Sequence, residues 1–110
     1  MNFIKKKKTE KKILSDIKDY LPIGSVVKLT NNNKYLIYGF AQAYTNKPKD
    51  QYDYIGVPYP EGNLLSDDHI MFDHNDIVEI CFRGYTDDDY DNFIEMMDSM
   101  MHMWKINWPQ

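Results

Sequence analysis

Residues 77–108 read IVEICFRGYTDDDYDNFIEMMDSMMHMWKINW, and the change of period inside this stretch decides the fold class. Ile77 to Phe82 is a short run rich in β-branched and aromatic residues, with Arg83-Gly84-Tyr85 closing it. Such a run, bounded by a turn signal, reads as a strand. The period then switches. Tyr90, Phe93, Ile94, Met97, Met101, Trp104 and Trp108 fall at offsets 0, 3, 4, 7, 11, 14 and 18. That spacing lines up one apolar face of a long helix. Thr86 is the expected N-cap, with Asp89 completing a capping box, and Asp87, Asp88 and Asp89 place negative charge at the positive end of the helix dipole. A strand followed by an amphipathic helix sets the class to be tested against the rest of the chain.

Working backwards, the remaining segments are short and mostly strand-like. His69 to Phe72 is a fourth strand, joined to Ile77 by the turn Asp73-His74-Asn75-Asp76. Tyr52 to Val57 is a third strand, and Pro58 and Pro60 make the following stretch an edge or a loop, because proline donates nothing to a ladder. Lys34 to Tyr44 is a second strand, with Gly39 marking a bulge or bend. Ser25 to Thr30 is the first, and Asn31-Asn32-Asn33 turns the chain between them. Ile13, Leu14, Ile17 and Leu21 form the apolar stripe of a short helix over residues 10–21, which Pro22 ends. The expected architecture is α+β. A short N-terminal helix precedes a curled or barrel-like antiparallel sheet of about five strands, and the long amphipathic helix packs on it.

Length and composition agree with one domain. The chain has 110 residues, 43% apolar and 27% charged, which excludes wholesale disorder and leaves no room for a second core. Residues 10–110 are expected to form that domain, and residues 1–9 a flexible basic tip. No apolar run is long enough for a membrane span, and Met1-Asn2-Phe3-Ile4 followed by lysines is not the apolar core of a secretory signal. A single cysteine, Cys81, excludes an internal disulfide framework and a multi-cysteine zinc site. A soluble, cytoplasmic protein is the expectation.

Charge is divided unevenly. Residues 1–12 hold six lysines and one glutamate, whereas residues 50–98 hold fourteen carboxylates and one cation, Arg83. The acidic body would repel phosphates, so nucleic-acid binding is left only to the Lys5–Lys12 tip, which reads first as a solubilising segment.

Candidate chemistry is sparse. Asp87, Asp89 and Asp91 have the spacing that opens a calcium loop, but Asn92 stands where such a loop turns on glycine, and Asp98 is shorter than the usual closing glutamate. An acid-rich helix start explains them better. His69, His74 and His102, with Asp67, Asp68, Asp73 and Asp76, match no closed zinc spacing. Cys81, inside a strand, is expected to be a half-buried packing residue, since no local feature lowers its pKa. No glycine-rich phosphate loop occurs. The expectation is therefore a protein without catalytic residues, metal or cofactor. Five of the seven methionines, Met96, Met97, Met100, Met101 and Met103, lie on one helix. They widen its apolar stripe, and methionine suits adaptable binding surfaces. With Trp104, Ile106 and Trp108 they make an apolar end that caps the core or meets a partner, a second copy of the chain included.

Several blocks carry a family resemblance. Leu21-Pro22-Ile23-Gly24-Ser25-Val26-Val27, Tyr52-Asp53-Tyr54-Ile55-Gly56-Val57-Pro58-Tyr59-Pro60-Glu61-Gly62, Phe72-Asp73-His74-Asn75-Asp76-Ile77 and Phe82-Arg83-Gly84-Tyr85 closely resemble a small Gram-positive family catalogued as domain of unknown function 4176 (DUF4176). The resemblance covers about residues 20–97, and its most specific block is Tyr54 to Gly62. It implies no catalytic residues and an accessory role beside type VII secretion and LXG-type toxins. A cytosolic chaperone or targeting adaptor for such a toxin, or for a small helical secretion factor, is the leading expectation. The alternative is an immunity protein that neutralises the cognate toxin domain. The residues expected to meet a partner are Tyr54, Tyr59, Met96, Met100, Met103, Trp104 and Trp108.

Overall fold

The computed structural model describes residues 19–43 and 51–106. Five strands, β1 (Val26–Leu29), β2 (Lys34–Ala43), β3 (Gln51–Pro58), β4 (Ile70–Phe72) and β5 (Ile77–Phe82), precede one helix, α1 (Asp88–Ile106). All neighbouring strands are antiparallel, in the order β4-β3-β2-β1-β5. The α+β class stands. The expected N-terminal helix lies mostly outside the described residues, and Tyr20 and Leu21, its last two positions, are not helical.

The strand order forces curvature. β4 and β5 are the two edges of the sheet, yet only residues 73–76 join them, and His74–Asp76 is a 3-10 turn. A flat five-stranded sheet would separate its edges by roughly 19 Å. The chain from Phe72 to Ile77 reaches at most about 18 Å when fully extended, and a 3-10 turn shortens it. The sheet must therefore curl until its edges approach. It does not close: among the described residues no ladder joins β4 to β5, so the barrel-like expectation is corrected to an open, curled sheet. The linking turn is tied down at both ends. The His74 amide donates to Asp53 of β3, and the Thr30 amide beyond β1 donates to the carbonyl of Asp76.

Local sequence explains each turn. Asn31 Oδ1 accepts the Asn33 amide at 2.9 Å, while Asn32 takes φ 68°, which asparagine tolerates. Between Ile37 and Gly39 the register with β3 skips a residue, placing the expected bulge at Tyr38. The proline stretch is as expected: Pro58 ends β3 paired with Tyr35 alone, beyond the short span that β4 covers, and residues 59–61 form a turn. α1 begins one residue later than expected. Asp87, not Thr86, is the N-cap, its carboxylate accepting the Tyr90 amide at 3.0 Å while its carbonyl accepts the Asp91 amide.

The larger core cluster lies on one face of the sheet, and Tyr52, Ile55 and Met71 form a second, smaller one. In the larger cluster Val27, Leu29, Tyr35, Ile37, Phe40, Tyr54, Ile70 and Phe72 pack with Tyr20 and Leu21, and Ile94 of α1 joins them. Tyr90 and Met97 flank Ile94 on the same side of the helix. An aromatic row crosses the strands: Phe40, Tyr54 and Phe72 are cross-strand partners, with ring centroids 6.5 and 5.5 Å apart. One row further on, Ile37, Gly56 and Ile70 are opposite one another. A Cβ on Gly56 would lie 2.8 Å from the Leu36 carbonyl oxygen and 3.3 Å from the Phe72 ring. Glycine is needed there for the ring to lie against the strand.

Candidate interaction surface

The block that carries most of the family resemblance is structural. Tyr54 is 0% exposed, so it cannot present a surface to a partner, and that expectation is corrected. The Tyr54 oxygen accepts the Leu21 amide at 3.0 Å, and its hydroxyl is hydrogen-bonded to His74 Nδ1 at 2.9 Å. Beside it, Asp53 is 2% exposed. Its Oδ1 accepts the Tyr20 hydroxyl and its Oδ2 the His74 amide, both at 2.9 Å. Asp73 and Asp76 complete the cluster: Asp76 Oδ2 accepts the Asp73 amide at 2.9 Å in a capping box. This knot fastens residues 20–21, 53–54 and 73–76 together. Such a satisfied polar network specifies one packing, because leaving any member unpaired in low dielectric is costly.

The knot resembles an acid–histidine–tyrosine constellation, but its chemistry is that of a lock. Burial pushes the Tyr20 hydroxyl far above its ordinary value, with the Asp53 charge adding to the effect. Burial likewise raises Tyr54, partly offset by the Leu21 amide. Both phenols are held neutral and buried. The other histidines divide. The ring of His69 bridges Tyr38 and Asn63 at the surface. The side chain of His102 lies outside the described part. Among the described residues no group of histidine, cysteine and carboxylates could hold a metal.

Surface residues are found elsewhere. Tyr59 is half-exposed in the β3–β4 connection, near the exposed Leu64 and Leu65 in sequence. Met96 and Met100 are exposed one turn apart on α1, and Phe93 beside them is partly covered by stacking on Phe40 at 6.4 Å. Met96 and Met100, with the open part of Phe93, form an exposed flank of the helix. Met103 and Trp104 continue the helix with their side chains outside the described part, and Trp108 lies outside the described residues.

The residues that sequence reasoning missed are on β5. Val78, Ile80 and Phe82 are 56%, 49% and 61% exposed. Cys81 is exposed too, which corrects its expected half-buried packing role. The reason is topological. β5 is an edge strand, and only Ile77 reaches the core cluster. Alternation within a strand announces the strand but not its place in the sheet. Gly84 shows how tightly the end of β5 is held. A Cβ there would lie 2.4 Å from the Ile23 carbonyl oxygen, and the Gly84 amide donates to the buried Ser25 hydroxyl at 2.9 Å.

A curled sheet fastened by a buried polar lock defines a small α+β domain with exposed apolar side chains on β5 and on α1. The sequence matches the family described as Domain of unknown function (DUF4176) over residues 20–93, and the chain belongs to that family. The matched span takes in the knot, all five strands and the start of α1. No curated protein and no solved structure matches the chain. No described helix is long and apolar enough to cross a membrane.

Proposed function

We propose that this protein is a non-enzymatic binding module, a cytoplasmic chaperone or targeting adaptor for an LXG-type toxin of a type VII secretion system. The observation that carries the reading is the exposed flank of Met96, Met100 and the open part of Phe93, on a helix whose opposite side is acidic. Flexible, polarisable methionines on an exposed helical stripe suit an amphipathic helix laid against them. The secretion context comes from the resemblance to the family's Gram-positive members. The test is co-expression with the N-terminal region of the toxin or with a small helical secretion factor, followed by size-exclusion chromatography. The wild-type pair co-migrates, and the double variant Met96→Glu/Met100→Glu loses the partner while keeping its melting temperature. Absence of a complex with either partner overturns the reading.

The acidity of residues 50–98 favours one second reading, an immunity protein for a basic toxin domain. It is separated from the first by which toxin fragment binds. An immunity protein binds the C-terminal domain and protects a cell that expresses only that domain.

A further inference from the structure

We propose that the protein's own N-terminal segment, residues 10–18, docks across Met96 and Met100 on the exposed flank of α1 and has to leave before a partner helix can bind there. The docking follows from geometry and charge; its role as a guard rests on the binding reading of the same flank. The chain enters the described fold beside this flank. The Tyr20 ring packs edge-on against Phe40 at 5.9 Å, and Phe40 in turn stacks on Phe93 at 6.4 Å. Tyr20 is held by its hydrogen bond to Asp53. The point from which the preceding residues set out is therefore fixed, one aromatic ring away from the head of the flank. From Asp19 back to Ile13 the chain can span about 20 Å. The flank from Phe93 to Met100 is about 10 Å long. The segment reaches all of it.

Pattern and charge choose this occupant over others. Ile13, Leu14 and Ile17 supply an apolar stripe for an apolar flank. Residues 1–18 carry seven lysines against Glu10 and Asp16. α1 carries Asp88, Asp89, Asp91, Glu95 and Asp98 before its first cation, Lys105. Asp89 stands one turn before Phe93, in line with the flank itself. A second copy of the helix would instead set like charge against like charge. Direction follows from the entry point. The segment sets out from Phe93 and the flank runs towards the C-terminal end of α1, so the two lie antiparallel. Lys5 to Lys8 then come to the end of the helix dipole that favours cations. Tethering adds to this, since a segment joined directly to the fold acts at an effective concentration on the order of millimolar.

The experiment uses the full chain, and trypsin reads the docking without any partner. Lys12 and Lys18 bracket the apolar stripe. Met96→Glu/Met100→Glu leaves both cleavage sites unaltered and should speed cleavage after them about five-fold or more, because cleavage follows the population of the open form. The protection in the wild type should be the same from about 1 to about 100 µM protein, as an intramolecular contact requires. Hydrogen peroxide gives the reciprocal reading. In Ile13→Glu/Ile17→Glu, Met96 and Met100 should oxidise about three-fold or more faster than in the wild type, followed by peptide mass spectrometry. The same variant should bind the toxin's N-terminal region or the helical secretion factor about three-fold or more tightly, because the site is no longer shared. Circular dichroism confirms that each variant is folded. Equal cleavage and equal oxidation in wild type and variants overturn the docking. Protection that grows with protein concentration overturns it in favour of a second copy. Protection with unchanged partner affinity overturns the guard. If neither partner binds, the binding reading and the guard fail together, while trypsin and peroxide still decide the docking.

Discussion

The two edges of this sheet are built to opposite plans. β4 has three residues, all buried, and its last side chain, Phe72, is among the largest fully buried ones. β5 has twice the length, and every residue after Ile77 is exposed. β4 is followed at once by the polar knot, which fastens Asp73 and His74 to β3. β5 is followed by an exposed linker to α1, with Gly84 pinned to Ser25. Short, covered edges keep a monomer apart, whereas long, open ones invite pairing. The contrast says that stability is concentrated on the β3–β4 side and that the β5 side and the flank of α1 are free for contacts.

The sharpest way to break this comparison is to shorten one phenylalanine on each edge. Phe72→Ala should cost about 3–5 kcal/mol in chemical denaturation, through lost burial and a cavity beneath Tyr54. Phe82→Ala should cost less than about 1 kcal/mol, because that ring is already largely in water. Equal losses would show that the edges are not different in the way described.

Next in size is the knot itself. Asp53→Ala leaves the Tyr20 hydroxyl and the His74 amide without their acceptor. A loss of about 2–6 kcal/mol follows, at about 1–3 kcal/mol for each of the two unsatisfied buried donors. Urea titration checks it, and a change under 1 kcal/mol would mean that the lock is not a lock.

Alkaline titration sharpens the same point. The Tyr20 and Tyr54 hydroxyls are raised in the folded protein, so folding favours their protonated forms. Their contribution is complete below the ordinary phenol value of about 10 and is lost as the pH rises beyond it. Each phenol should remove about 1.4 kcal/mol per pH unit in that range. Ultraviolet absorption near the phenolate band should show these two tyrosines ionising only together with unfolding. Free ionisation of every tyrosine in the folded state would contradict the buried network.

The smallest effect belongs to α1. Asp87→Ala should lower stability by about 1 kcal/mol through loss of the N-cap, while Thr86→Ala should change it by less than half of that. Thermal unfolding of the two variants decides which residue caps the helix.

How much of this was legible beforehand follows from the physics of each element. β5 was read with its observed bounds, because a β-branched run between turns has a local signature. The bulge at Tyr38 was signalled by Gly39, and the turn at Asn32 by its asparagines. The start of α1 was misplaced by one residue, since Thr86 and Asp87 both suit a cap and only geometry separates them. Exposure was not legible at all for Tyr54, Cys81 and Phe82, because it depends on which strand lies beside which. A four-residue turn between β4 and β5 suggests a hairpin, yet the chain crosses to the far side of β1 instead. The knot was hidden for the same reason: Tyr20, Asp53 and His74 are distant in sequence, and no motif joins them.

The crossing from β4 to β1 also governs how the molecule is made. β1 pairs with β5 through residues 48 to 56 positions apart. As the chain leaves the ribosome, β2, β3 and β4 can assemble in order, but β1 must wait with one side of its backbone unpaired until residue 82 has emerged. Long-range pairing of this kind is slow and leaves apolar backbone open to wrong partners in the interval. The nascent protein therefore passes through a stage in which its innermost short strand is the vulnerable one, and the last strand to be synthesised ends it.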